Sequence, residues 1–285
     1  MKFKHLFTGL LSSAILLSAT ALSAQITVRN GDKIAFLGDS ITQQGNQGKL
    51  GYVNLVIDVL NANGIKAVKI PAGISGHKSN NMLGRLEKDV LKKYPQHMTL
   101  SCGVNDVWHG KNGVPLDQYK KNITQIVDKA QAAGIRVYIL TATMITEDAN
   151  NANNKKLAAY NDFLRQLAKE KGCVLVDLNK DMQDQIAAIK KKYPKFKNGS
   201  ALTYDGVHMN PMGNIMMANG ILKGFGLTDA QIAKASAKWM NYTWTYRGVV
   251  TFKLSDYVKF SEKAFAEGKD VGTMIRDIIT REINK

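Results

Sequence analysis

Cysteine is scarce here, with two in 285 residues, Cys102 and Cys173. So few cannot staple a disulfide scaffold. Cys102 closes the apolar run "MTLSC" and Cys173 opens "CVLVDL". If both runs are parallel strands of one sheet, the sulfurs lie at opposite ends, beyond the reach of a bridge. Two buried free thiols are therefore expected. Histidine is also rare: His77, His97 and His109 form no ligand pattern with Asp205 and His208, so neither a metal nor another cofactor is expected. Past the first two dozen residues no apolar run is long enough to cross a membrane. Internal repeats and low-complexity linkers are absent. Acids are outnumbered, 23 against 39 Lys and Arg, for a formal charge of +16. Many of the lysines fall at helical spacing, as in "LEKDVLKKY" and "AAIKKKYPKFK", and read as solvated faces. With no nucleic-acid motif beside them, a nucleic-acid partner is not expected.

What is present begins with an address. "MKFKH" is basic, "LFTGLLSSAILLSATAL" is apolar but diluted by Ser, Thr and Gly, and "SATALSAQ" is a small-residue exit. Residues 1–24 thus read as a secretory signal peptide, cut after Ala21 or Ala24, which predicts export to a periplasmic or extracellular site. No cysteine stands near the cut, so lipid attachment is not expected there.

With 45% apolar and 22% charged residues, the chain has ample material for one large core. Apolar β-rich runs at 33–37, 67–70, 98–102, 136–141 and 173–178 alternate with amphipathic segments near 49–63, 79–94, 115–133 and 151–171. Gly64 and Gly134 stand where two of these helices should stop. Strands that read as continuous apolar runs are covered on both faces, which predicts an α/β fold around a five-stranded parallel sheet. After about residue 225 the pattern turns helical, with "YTWTYRGVVTF" as a strand pair or extended linker. The expected division is a catalytic domain over 25–225 and a mainly helical extension over 226–285.

Ligands of such sheets sit beyond the carboxyl ends of the strands. The first run ends in Gly38-Asp39-Ser40, the second in "PAGISGHKSNNM" and the third in "GVNDVWHG"; after the fifth run and another helix comes "YDGVHMNPMGN". One rim would hold a serine, a glycine-rich loop, an asparagine and an Asp-x-x-His pair, the set that acyl transfer needs. A serine hydroxyl is a poor nucleophile until a neutral imidazole takes its proton, for which His208 is the candidate. Asp205 can orient that ring, and Asn105, with backbone N–H groups of Ser40 and Gly76, can face the oxyanion. Each part alone has a plainer reading. Gly-Asp-Ser is a common turn in which Asp39 or Ser40 caps a helix, Gly38 freeing the backbone to turn. Asn210-Pro211 is a helix start, and Met209, Met212 and Met216 read as core.

Together the blocks "GDSI", "GISGHKS", "GVND" and "DGVH" resemble the SGNH hydrolase superfamily, the GDSL-type esterases and lipases. The resemblance spans about residues 33–223. It implies a flavodoxin-like α/β/α sandwich with Ser40 as nucleophile, His208 as base and Asp205 as its partner, and an oxyanion hole of Ser40, Gly76 and Asn105. Ile41 departs from the usual Leu, and Pro71 stands where an Asn often opens the second block. The leading expectation is an exported esterase removing small acyl groups, acetyl above all, from a carbohydrate. Asp39, Trp108, Tyr204 and Trp244 are the candidate substrate contacts. Lysophospholipase or thioesterase activity, or a non-catalytic glycan-binding module, are the alternatives.

Overall fold

A computed structural model describes residues 26–197, 199–246 and 250–285; the proposed signal peptide lies outside them. Five parallel strands form the central sheet: β1 (Lys33–Gly38), β2 (Val68–Gly73), β3 (His97–Ser101), β4 (Arg136–Leu140) and β5 (Val174–Val176), in the order β2-β1-β3-β4-β5. Ile34 to Leu37 are fully buried, as a central strand covered on both faces must be. The strand order reverses direction at β1. The carboxyl ends of β1 and β3 flank this switch point, where doubly wound sheets usually hold their ligand in a crevice.

The helices follow the chain as α1 (Ser40–Gly45), α2 (Tyr52–Ala62), α3 (Ser79–Asp89), α4 (Val104–Trp108), α5 (Leu116–Ala132), α6 (Ala152–Glu170), α7 (Leu178–Lys192) and α8 (Pro211–Gly224). Right-handed crossovers from a sheet that reverses at β1 send α2 to one face and α3, α5 and α6 to the other. Their contacts agree: α8 packs on α2 and α7, while α5 packs on α3 and α6. The result is a three-layer α/β/α sandwich. Asn210 caps α8 by accepting from the Met212 and Gly213 N–H groups at 2.9 and 3.1 Å, with Pro211 at the first helical position. Met209 and Met216 are buried in the core and Met212 is half-buried against it.

Two strands differ in length from their sequence patterns by more than one residue. β2 continues through Pro71, which an edge strand tolerates because the missing N–H need not face a neighbour. β5 stops at Val176 because the Asp177 carboxylate turns to cap α7, accepting from the Lys180 N–H at 3.2 Å. Both cysteines are free. Cys102 is buried beyond the carboxyl end of β3. Cys173 stands before the amino end of β5 and is half-buried, against the expectation of full burial, because β5 is an edge strand.

Beyond α8 come α9 (Asp229–Ser236), the antiparallel pair β6 (Thr243–Tyr246) and β7 (Val250–Lys253), then α10 (Leu254–Ala266) and α11 (Val271–Ile283). "YTWTYRGVVTF" is thus a strand pair. One carboxylate on α2 fastens this region: Asp58 accepts from Trp239 Nε1 at 2.8 Å and Tyr242 O–H at 3.0 Å, and pairs with Lys238 at 2.7 Å. Trp239, Leu254 and Phe265 join the main core. Among the described residues no helix is long and apolar enough to cross a membrane.

The turn from β1 into α1 corrects two expectations. Gly38 is required by packing: a Cβ there would stand 1.9 Å from Thr42 Oγ1 and 2.7 Å from Thr42 Cβ. Asp39 is no surface contact for a substrate. It is only 2% exposed, and its carboxylate caps α1 by accepting from the Ile41 N–H at 2.9 Å. Burial, with the nearby Asp106 charge adding to it, pushes the Asp39 carboxyl up to about 6, against the Ile41 bond and the attraction of His208. The folded state therefore favours the protonated acid. The stabilisation this gives is complete at low pH and fades as pH rises through about 6. Asn keeps the capping oxygen and carries no charge, so Asp39→Asn should gain little over wild type at pH 4 and about 3 kcal/mol at pH 8. Urea unfolding at the two pH values measures this; a gain independent of pH would contradict it.

Candidate active site

The crevice at the strand reversal receives groups from four loops. Ser40 opens α1 directly after β1. His208 and Asp205 come from the segment between α7 and α8. Ser40 Oγ lies 2.9 Å from His208 Nε2, and His208 Nδ1 lies 2.7 Å from Asp205 Oδ2. With its proton on Nδ1, facing the carboxylate, the ring leaves Nε2 free to accept from the serine hydroxyl. The other carboxylate oxygen accepts from the backbone N–H groups of His208 and Val207 at 2.8 and 3.0 Å. Burial pushes the Asp205 carboxyl up, but the bonds from the His208 ring and these N–H groups outweigh it and hold it below its ordinary range. The carboxylate beside the His208 ring is thus held ionised.

Three donors without a full set of acceptors stand in the turns that follow β1, β2 and β3. The Ser40 N–H, at the first position of α1, has no acceptor among the described residues, as helix geometry dictates for a first-turn amide. The Gly76 N–H has none either, and its φ of +74° is a conformation that glycine adopts without strain. Asn105, on α4 and 5% exposed, donates one Nδ2 hydrogen to the His77 carbonyl at 3.1 Å, leaving the other unused. That bond joins the asparagine to the glycine loop. The arrangement suits a tetrahedral oxyanion.

Several residues that fix this geometry escaped the motifs. Arg85 of α3 donates to the Gly38 carbonyl, to the Ala72 carbonyl and to His77 Nδ1 at 2.8, 2.8 and 3.0 Å, and pairs with Asp89 at 3.0 Å. It ties the ends of β1 and β2 to the Gly76 loop. Burial and the Arg85 charge both lower the pKa of His77, which keeps that ring a neutral acceptor. Gln43 Oε1 accepts from both the N–H and the O–H of Ser75 at 2.7 Å, pinning the loop from α1. Buried Asp106 accepts from the Ser79 N–H at 3.0 Å and its hydroxyl at 2.6 Å, anchoring the start of α3. The sequence signal for Arg85 was a charge three residues after buried Met82, on the inner face of its helix.

On the far wall, Glu147 is buried beneath the Asp205 segment. It accepts from the N–H groups of Ala201, Leu202 and Thr203 at 2.6, 2.8 and 2.8 Å, and from the Thr203 hydroxyl at 2.7 Å. The Thr146 N–H donates to the Gly206 carbonyl at 2.7 Å, an approach so close that a Cβ on Gly206 would meet Thr146 Cα at 3.1 Å. Of the candidate substrate contacts, Trp108 and Tyr204 are each 44% exposed, and Trp244 is half-buried among other rings. No cluster able to hold a metal ion occurs among the described residues.

The model of the GDSL-like Lipase/Acylhydrolase family matches residues 36–214. An acetylxylan esterase of Geobacillus stearothermophilus is 27% identical over 220 residues, covering 70% of this chain and 96% of the relative. The crystal structure of the acetyl xylan esterase AlAXEase is 35% identical with a TM-score of 0.62, covering 67% of this chain and 98% of that one. That of the Geobacillus stearothermophilus esterase Axe2, 24% identical with a TM-score of 0.63 and covering 71% and 97%, shares the fold. With the match running through all four rim loops, the chain belongs to the GDSL-like lipase/acylhydrolase family of the SGNH hydrolases and is a serine-type carboxylic ester hydrolase.

Proposed function

We propose that this protein is an exported esterase that removes acetyl groups from a carbohydrate, with Ser40 as nucleophile, His208 as general base and Asp205 as its orienting partner. The observation that carries the chemistry is the unbroken chain from Ser40 Oγ through the His208 ring to Asp205. The hydroxyl loses its proton to Nε2 as it attacks the ester carbonyl, and Asp205 steadies the imidazolium that forms. The oxyanion meets the N–H groups of Ser40 and Gly76 and the unused Asn105 hydrogen; removing one such donor costs about 3 kcal/mol of barrier. Collapse expels the sugar alkoxide, which takes the proton from Nε2. Water, deprotonated by the same nitrogen, then releases acetate and restores the serine.

Two features favour a small acyl group on a sugar. The similar proteins above are acetylxylan esterases. Beside the triad, exposed Tyr204 offers a flat face of the kind on which a sugar ring stacks, and Trp108 ends the helix that carries Asn105. Export rests on the leader pattern in the sequence.

Ser40→Ala should lower the rate of acetate release from acetylated xylan by at least ~10³-fold while the protein stays folded. Release measured across acetylated xylans, pectins and sialosides, with palmitoyl esters and lysolipids as controls, identifies the substrate; full activity of the variant would remove Ser40 as nucleophile. The bonds that hold the Asp205 carboxyl below its ordinary range keep this partner charged as the pH falls, so it adds no proton of its own. The acid limb of kcat/KM should therefore fall with a slope of one proton. A rate that is flat towards acid would remove His208 as base.

A further inference from the structure

The family match ends at residue 214, yet β6 comes back to the Asp205 segment, where Trp244 meets Tyr204. Trp244 of β6 lies nearly parallel to Tyr204, with centroids 5.8 Å apart and planes at 14°. The same indole lies nearly parallel to its cross-strand neighbour Phe252 at 6.2 Å and edge-on to buried Tyr257 at 4.7 Å. Phe252 and Tyr257 hold Trp244, and Trp244 in turn braces Tyr204, the residue just before Asp205.

Between this strand and α1 runs a groove of about 400 Å³, large enough for a small ligand. Its lining adjoins the Ser40–His208–Asp205 chain in sequence: Gln44 lies one helical turn beyond Ser40, Tyr204 precedes Asp205 and Met209 follows His208. Gln44 and Gln47 line it, both exposed and without a side-chain hydrogen bond among the described residues. Lys49, its ammonium 5.6 Å above the Tyr242 ring, is the one charged residue among the described residues of the lining. An aromatic platform facing unpaired amides, with no carboxylate between, suits a hydroxylated ring far better than an acyl chain.

We infer that the β6–β7 pair is a specificity wall for the alcohol half of the ester. Trp244 fixes the Tyr204 ring as the platform under the sugar that carries the acyl group, and Gln44 and Gln47 bind its hydroxyls across the groove. Trp244 is thus a positioning residue acting through Tyr204. The inference rests on the carbohydrate reading above.

The test compares kcat/KM for acetylated xylo-oligosaccharides with kcat/KM for 4-nitrophenyl acetate, which has the same acyl group and no sugar. Trp244→Ala should lower the ratio of the two about five- to tenfold, mainly through KM for the sugar ester, and Trp244→Phe should recover most of it. Should Trp244→Ala fail to fold, Tyr204→Leu reads the same platform and should shift the ratio in the same direction. Equal losses on both substrates would assign the tryptophan a merely structural role and overturn the inference, as would an unchanged ratio. If the wild type cleaves the aryl ester but no acetylated oligosaccharide, the carbohydrate reading fails and takes the inference with it.

Discussion

A bond of 2.9 Å between Ser40 Oγ and His208 Nε2 joins residues 168 apart in sequence, and the site depends on holding its two ends still. Neither end is rigid by itself. Ser40 opens a helix of six residues, and His208 lies in a segment with little regular structure. Buried polar groups supply the stiffness. A charge taken out of water is tolerated only when its lone pairs are met by donors, and Glu147 meets four. Burial still raises its pKa despite those bonds, so this carboxylate adds less stability than a surface group would. Its effect is to fix the chain just ahead of Asp205.

Arg85 plays the matching part on the other side. Its guanidinium draws the carbonyls at the ends of β1 and β2 towards the ring of His77, and so sets the strand that leads to Ser40 and the Gly76 loop in one frame. The fork of donors makes arginine suited to three acceptors at fixed angles, which a lysine could not match. Packing completes the frame, since Thr42 occupies the space where any side chain at position 38 would be.

The sandwich was legible because its strands are buried on both faces and so appear as unbroken apolar runs, and because Gly64 and Gly134 mark helix ends, each with φ above +70°. The four blocks were legible because acyl transfer restricts which residues can stand at strand ends. Gln43 and Glu147 were not, since each acts on groups remote in sequence and no local spacing announces that, while Arg85 left only a charge on the inner face of its helix. The ends of β2 and β5 were misread for a similar reason: Pro71 is admissible only on an edge, and Asp177 caps the next helix rather than extending its strand. Asp39 carried both readings, as turn and as contact, and only its burial separates them.

In the proposed mechanism all of this serves one event, the loss of a proton from Ser40 beside waiting amide hydrogens. A fluorophosphonate reacts with an activated serine alone, so peptide mass spectrometry of the treated protein tests that event directly. The account predicts one adduct per chain, on Ser40, absent when His208 is replaced by Ala. An adduct on another residue, or none from a preparation that hydrolyses esters, would contradict it.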